Sequence, residues 1–399
     1  MEIKQHWRIG FITNGDPKDR RVWSGITSFI FEALQQEFDE VIPLGPFQPV
    51  VAWQQRANSF GKRIAGKIDV LTRKLSKGRH VYEFGLYHSW ISSQFFKRQL
   101  AGHANFDFLV VPASHFSVAL LWTKTPIVLV SDATFSLLNG YYPDLSDLSA
   151  LSQQEFFITE KLALNRAWFT IYSSEWAAHS ALTTYGISPD KLKVLPFGAN
   201  IDPESEPTRQ SVLRLRQQFT YKLLFMGVDW ERKGGAIALE CVTALKSMGI
   251  DVHLTVCGCE PPEPVDAAVT VIKYLDKNHP RDYVRFLELL QEADFLLLPT
   301  RADCTPISFC EAAAYGLPVI TTDTGGIAGV VDEGETGFLL PLEARGSEYA
   351  HLIAALYANK LRYDDLVIHA RDKYEKELNW RAWATSLKNI AIGMQAVSV

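Results

Sequence analysis

The chain has 399 residues, 47% of them apolar, which is enough to bury two hydrophobic cores of ordinary size. Charged residues make up 21% and sum to a formal charge of −5, so no global field directs the chain toward nucleic acid. The five cysteines, Cys241, Cys257, Cys259, Cys304 and Cys310, lack framework spacing, which argues against a disulfide scaffold and fits a reducing compartment.

The opening MEIKQHWRIGFIT lacks a signal-peptide apolar region, and no apolar run reaches the ~18 residues of a membrane-crossing helix. A cytoplasmic location is expected. Strand-like runs recur at RIGFIT (8–13), FDFLVVP (106–112), PIVLVSD (126–132), WFTIYSS (168–174) and KLKVLPFG (191–198), separated by helix-length stretches. Continuous apolar strands of this kind suit a parallel sheet covered by helices on both faces. Ligands of such sheets sit beyond the carboxyl ends of the strands, so the loops there carry the interest.

After the first strand, ITNGDPKDRRVWSGITSFIFEAL (12–34) places Gly25 at a helix start, where a missing Cβ lets the main chain approach phosphate or acceptor closely. Asp16 could bind an acceptor hydroxyl; a plain turn with a serine cap is the competing reading. Between Phe60 and His80, Phe60, Ile64, Ile68, Leu71 and Leu75 fall at helical spacing among Lys62, Arg63, Lys67, Arg73, Lys74, Lys77 and Arg79. A basic amphipathic helix can lie in an anionic bilayer surface, each basic residue there being worth about 1 kcal/mol; packing on the first domain with a solvated basic face is the alternative. GKRIAGKI (61–68), in the same stretch, nearly spells a phosphate-binding loop, but Ile68 occupies the magnesium-ligating position and no strand precedes it.

The polar segment NIDPESEPTRQS (200–211) reads as a linker. The pattern then restarts with YKLLFMG (221–227), DVHLTVCG (251–258), VTVIKYL (269–275), DFLLLPT (294–300) and PVITTD (318–323), marking a second α/β domain. Its boundaries are expected at 1–205, 206–378 and a terminal helix within 379–399 that returns to the first domain. LLFMGVDWERKGG (223–235) sets Arg232 and Lys233 just before a helix, where basic residues are disfavoured unless they face a ligand. In PTRADCTPISFCEAAAYGLPVITTDTGG (299–326), a loop carries Asp303 and Thr305, and a helix opens near Pro306, Ile307 and Ser308 with Glu311 inside it. That helix start offers free N–H groups to a diphosphate, and Glu311 can accept two hydrogen bonds from a ribose diol. Helix capping by Asp303 and Thr305, with Glu311 solvated, is the plainer alternative.

Together these motifs resemble the retaining family 4 glycosyltransferases, the glycosyltransferases group 1, of the GT-B fold. That resemblance implies two Rossmann-like doubly wound domains facing a central cleft, and transfer of a sugar from a nucleotide-diphosphate-sugar donor to a glycan, lipid-linked or other hydroxyl acceptor. The family's Glu-x7-Glu pair corresponds to Asp303 and Glu311, with the first residue one methylene shorter. Lys233 matches the family's diphosphate lysine, and Arg232 stands in for the arginine that usually follows the strand glycine, since Val228 follows Gly227 here. Donor contacts then fall to Gly25, Arg232, Lys233, Thr305, Pro306, Ile307, Ser308 and Glu311. Asp132 occupies a position where many relatives carry a His-Asp pair, with Ser131 in place of the histidine, and is the first candidate for a polar group beside the reacting carbon. His115 is the second, on the acceptor side with Asp16. No metal or other cofactor is expected, because cations and a helix dipole take that place in the family. Rival readings with the same fold are a sugar-nucleotide epimerase or phosphorylase, and a non-catalytic sugar-nucleotide-binding protein.

Overall fold

The computed structural model describes residues 6–48, 51–76, 78–262 and 266–397. Lys77, one of the basic residues noted above, lies outside them. The chain divides into two compact units, Met1–Leu195 and Pro196–Val399.

The first unit holds six strands, β1 (Arg8–Phe11), β2 (Glu40–Pro43), β3 (Phe108–Pro112), β4 (Ile127–Ser131), β5 (Phe169–Tyr172) and β6 (Leu192–Val194). They form one parallel sheet in the order β2-β1-β3-β4-β5-β6. Every residue of β3, β4 and β5 is buried, as expected of strands covered on both faces. Strand order reverses between β1 and β3, a switch point at which the connecting loops diverge and leave room over the strand ends.

The second unit repeats the plan with β7 (Lys222–Met226), β8 (His253–Cys257), β9 (Val269–Ile272), β10 (Phe295–Leu298), β11 (Val319–Thr322) and β12 (Gly337–Leu340). Their order is β12-β11-β10-β7-β8-β9, all parallel, which places the switch point between β7 and β10. This is the doubly wound arrangement of dinucleotide-binding sheets. β10 and its neighbour β11 are wholly buried.

Strands β2 and β12 fall outside the sequence expectation. Both are four-residue edge strands with half-exposed residues; β2, EVIP, lacks a continuous apolar run, whereas β12, GFLL, has one. The break between units also falls earlier than the polar segment 200–211. Residues past Pro196 are held inside the second unit: the Ala199 N–H donates to Leu378 O at 2.9 Å and Trp380 Nε1 to Asn200 Oδ1 at 2.9 Å. The terminal helix Trp380–Val397 is counted with this same unit. GKRIAGKI lies inside the helix Ala52–Ser76, not in a strand-to-helix loop, which removes the phosphate-loop reading.

Candidate functional site

In the second unit the loops after β7 and β10 are bound to one another. Gly234 sits at φ +77°, and a Cβ there would fall 1.9 Å from Pro299 O, so only glycine permits this approach. The Arg301 N–H then donates to Arg232 O at 2.7 Å, and Arg232 Nη1 to Ala302 O at 2.9 Å. Gly227 serves a different purpose, since a Cβ at this position would stand 2.8 Å from Lys233 Cγ and its absence makes room for the lysine stem.

The result is a charged cluster at the switch point. Buried Lys233 forms an ion pair with buried Asp303, while Arg232 Nη1 lies 3.7 Å from the same Asp303 oxygen and Arg232 Nε 3.3 Å from Asp229. Two cations thus face two carboxylates, of which only Asp303 is buried. The more exposed Asp229 takes part of the Arg232 charge.

The helix Ile307–Ala314 starts beside this cluster, with Pro306 as its N-cap and no side-chain cap. Asp303 is committed to the lysine, and Thr305 Oγ1 donates to Cys304 O at 2.8 Å, so the capping alternative is not what the side chains do. The Gly325-Gly326 turn reaches the same loop through the Gly326 N–H to Asp303 O at 3.3 Å. A helix N-terminus without a side-chain cap beside two cations suits an anion.

Glu311 is not solvated; it is 1% exposed, and its Oε1 lies 2.5 Å from Lys277 Nζ. Burial raises its carboxyl above the usual range, and Lys277 opposes that shift. Lys277, in the loop after β9, also sets its ammonium 3.8 Å from the Phe286 ring centre. Sequence reasoning missed Lys277, whose only signal is its place just past a strand end.

In the first unit, Gly25 opens the helix Ile26–Glu37 at φ +89°, following Trp23 and Ser24 at φ +49° and +55°. Ser24 therefore does not cap the helix. Non-glycine residues in this region cost about 1–3 kcal/mol each, and Ala113, just past β3, adds another at φ +45°. The strain gathers at the loops flanking the β1/β3 switch point. These loops are joined by the Asn14 N–H to Ser114 Oγ at 3.2 Å and by Ser117 Oγ to Asn14 Oδ1 at 2.8 Å. Asp16 is exposed, and its Oδ1 accepts from the Lys18 N–H at 2.9 Å, a local turn contact. Asp132 is half-buried, one residue past β4, beside a Ser131 hydroxyl that donates to Ala133 O. His115 is buried against Phe116 with Nε2 3.3 Å from Glu160 Oε1, although without hydrogen-bond alignment. Glu160 is 1% exposed and accepts the Phe135 N–H at 2.9 Å; the sequence offered no sign of it. Among the described residues no cluster of three or more His, Cys, Asp or Glu is placed to hold a metal ion.

Residues 220–359, which contain every charged group of the second-unit cluster, match the family Glycosyl transferases group 1. The chain is 23% identical over 291 residues to a D-inositol 3-phosphate glycosyltransferase of Corynebacterium glutamicum, covering 68% of this chain and 67% of that one. It spans about half to two thirds of the length of that and two other curated relatives. Among solved structures, the sucrose-phosphate synthase of Thermosynechococcus elongatus superposes with a TM-score of 0.64 at 15% identity, over 98% of this chain and 100% of that one. Anabaena Alr3699/HepE, in complex with UDP and glucose, gives 0.61 at 15% identity over 96% and 99%.

Proposed function

With a group 1 glycosyltransferase domain at 220–359 and a GT-B fold as premises, we propose that this protein transfers a sugar with retention of configuration from a nucleotide-diphosphate donor to a hydroxyl acceptor. The observation that carries the proposal is the placing of Lys233, Arg232 and the helix start Ile307–Ala314 at the β7/β10 switch point. Cations and backbone N–H groups fixed there stabilise the charge that grows on a departing diphosphate, without any reorganisation at the moment of reaction.

Each residue then has a role. Lys233 and Arg232 receive the diphosphate with the N–H groups of Ile307 and Ser308, next to Thr305 and Pro306. Glu311 takes the two ribose hydroxyls, exchanging part of its contact with Lys277. Asp303, released from Lys233, holds a donor-sugar hydroxyl. In the first unit, Asp132 serves as the polar group for the reacting carbon, while Asp16, Gly25 and His115 serve the acceptor side. The charge is handled by side chains and backbone, so transfer proceeds without a divalent ion.

The acceptor class is a glycan or a lipid-linked glycan, in keeping with relatives named for amylovoran and lipopolysaccharide synthesis. Uridine diphosphate sugars head the donor panel, because Alr3699/HepE is described with UDP-glucose. The test is incubation with nucleotide sugars and a set of glycan and lipid-linked acceptors, with anomeric configuration of the product read by NMR. An α-linked product from an α-linked donor supports the proposal. Isomerised donor, phosphorolysis or an inverted product contradicts it.

A further inference from the structure

The helix Ala52–Ser76 packs the reverse of what a surface helix normally does. Its buried face is made of small and polar residues: Gln54, Gly61 and Ala65 are buried, and Asn58 Oδ1 accepts from Tyr82 Oη at 2.9 Å. Gly61 fits closely there, since a Cβ would meet the Tyr87 ring at 2.5 Å. Apart from half-buried Ile68, its large apolar residues face outward instead. Phe60 is 51% exposed, Leu71 55% and Leu75 78%, and Trp53 and Ile64 are exposed with them. A line of large apolar side chains therefore runs along the solvent side of the helix.

Charge is arranged around that line. Between residues 52 and 76 stand six basic residues and one acidic residue, Asp69. Asp69 is already engaged, with Arg73 Nε at 2.9 Å and the His80 N–H at 2.8 Å. At about 100° per residue, exposed Arg56, Arg63, Lys67 and Lys74 fall within roughly 80° of the apolar line, on the side away from the packed face. The Arg63 guanidinium lies 5.9 Å from the Phe60 ring centre, its stem along the apolar surface and its charge at the edge. Trp90 and Tyr87 of the helix Leu86–Ala101, both partly exposed, extend the patch, with Trp53 and Trp90 ring centres 6.3 Å apart. Tryptophan and tyrosine suit the headgroup layer, where one edge is apolar and the other wet.

We propose that this helix lies in the surface of an anionic lipid bilayer, with Phe60, Ile64, Leu71 and Leu75 among the acyl chains and the flanking basic residues on the headgroups. The inference rests on exposure and charge and does not depend on the sugar chemistry.

The experiment is co-sedimentation of the full chain with phosphatidylcholine vesicles, with and without phosphatidylglycerol, at low and high salt. At least about tenfold more protein should sediment with the anionic vesicles at low salt, and raised salt should remove most of that difference. Replacing Phe60, Ile64, Leu71 and Leu75 by Ser should abolish binding to both vesicle types, with an unchanged circular dichroism spectrum as the folding control. Replacing Arg56, Arg63, Lys67 and Lys74 by Gln should remove the preference for phosphatidylglycerol. No sedimentation of the wild-type chain at low salt overturns the proposal. So does vesicle binding that survives the Ser substitutions, or a wild-type dimer in lipid-free solution that those substitutions dissociate, since a second copy would then be the occupant.

Discussion

Lys233 and Asp303, carried to one point by the loops after β7 and β10, form a buried ion pair in which Arg232 stands as a second cation 3.7 Å from the carboxylate. In the proposed reaction a diphosphate competes with Asp303 for the lysine ammonium. Asp303→Asn removes the competing negative charge, so free nucleoside diphosphate should bind roughly tenfold more tightly, a gain of about 1.4 kcal/mol. Transfer to acceptor should fall, because the sugar contact is weakened. Titration calorimetry reads the first effect, and weaker diphosphate binding in the variant would show that Asp303 does not compete for this site.

The role proposed for Asp132 differs from that of the second-unit residues, and the difference is measurable. Asp132→Asn should lower kcat about a hundredfold while donor Kd stays within about threefold, as expected of a group acting on the reacting centre. A loss of donor affinity as large as the loss of kcat would place Asp132 with the nucleotide contacts.

Glu311 predicts a pH effect with a definite sign. Its folded carboxyl is raised by burial, so the native state holds that proton more tightly than the unfolded chain does. The associated stability is present at low pH and is lost as pH rises through the raised folded value. Glu311→Gln keeps the neutral form at all pH values, so its melting temperature relative to wild type should increase from pH 4 to pH 8. Thermal melts across that range test it; a difference that is flat or declines with pH would mean that Lys277 fully compensates the charge.

His88 provides a second pH dependence, set chiefly by burial. Burial lowers it from 6.5 to about 4, with Lys62 acting in the same direction and Glu83 against it. Its ring lies between Phe47 and Tyr82, with ring centres 5.5 and 5.4 Å away. A depressed histidine binds its proton more weakly in the folded state, so stability is lost as pH falls from 6.5 toward 4, by about 3 kcal/mol in all. In His88→Phe this part of the slope should vanish in urea titrations at pH 4, 5 and 7. An unchanged slope would assign the acid sensitivity elsewhere.

The central strands and the loops beyond them are legible in the sequence because burial on both faces demands continuous apolar runs, as at FLVVP and FLLL. Edge strand β2, EVIP, escapes that logic, being half-exposed and bounded by Glu40 and Pro43. Lys233, Asp303 and Glu311 could be singled out because they follow strands and stand near glycines. Their partners could not: Lys277 reaches Glu311 across 34 residues and Glu160 faces His115 across 45, separations that local pattern does not encode. The left-handed stretch Trp23-Ser24-Gly25 is likewise hidden, since only its glycine advertises a positive φ. The outward apolar line of the helix Ala52–Ser76 had its spacing in the sequence, but which side faced the protein depended on Gly61 fitting beneath Tyr87.

The most direct test of the central claim is the thermal shift of the wild-type chain, Lys233→Ala and Glu311→Ala against a panel of nucleotide-diphosphate sugars. A donor at one hundred times its Kd stabilises by about 2.7 kcal/mol, which for a unit of this size is a rise of roughly 5–10 °C. At least one nucleotide sugar should raise the wild-type melting temperature by that amount and leave both variants, folded by circular dichroism, almost unmoved. A full shift retained in both variants, or no shift with any nucleotide sugar, would contradict the assignment of the β7/β10 switch point as the donor site.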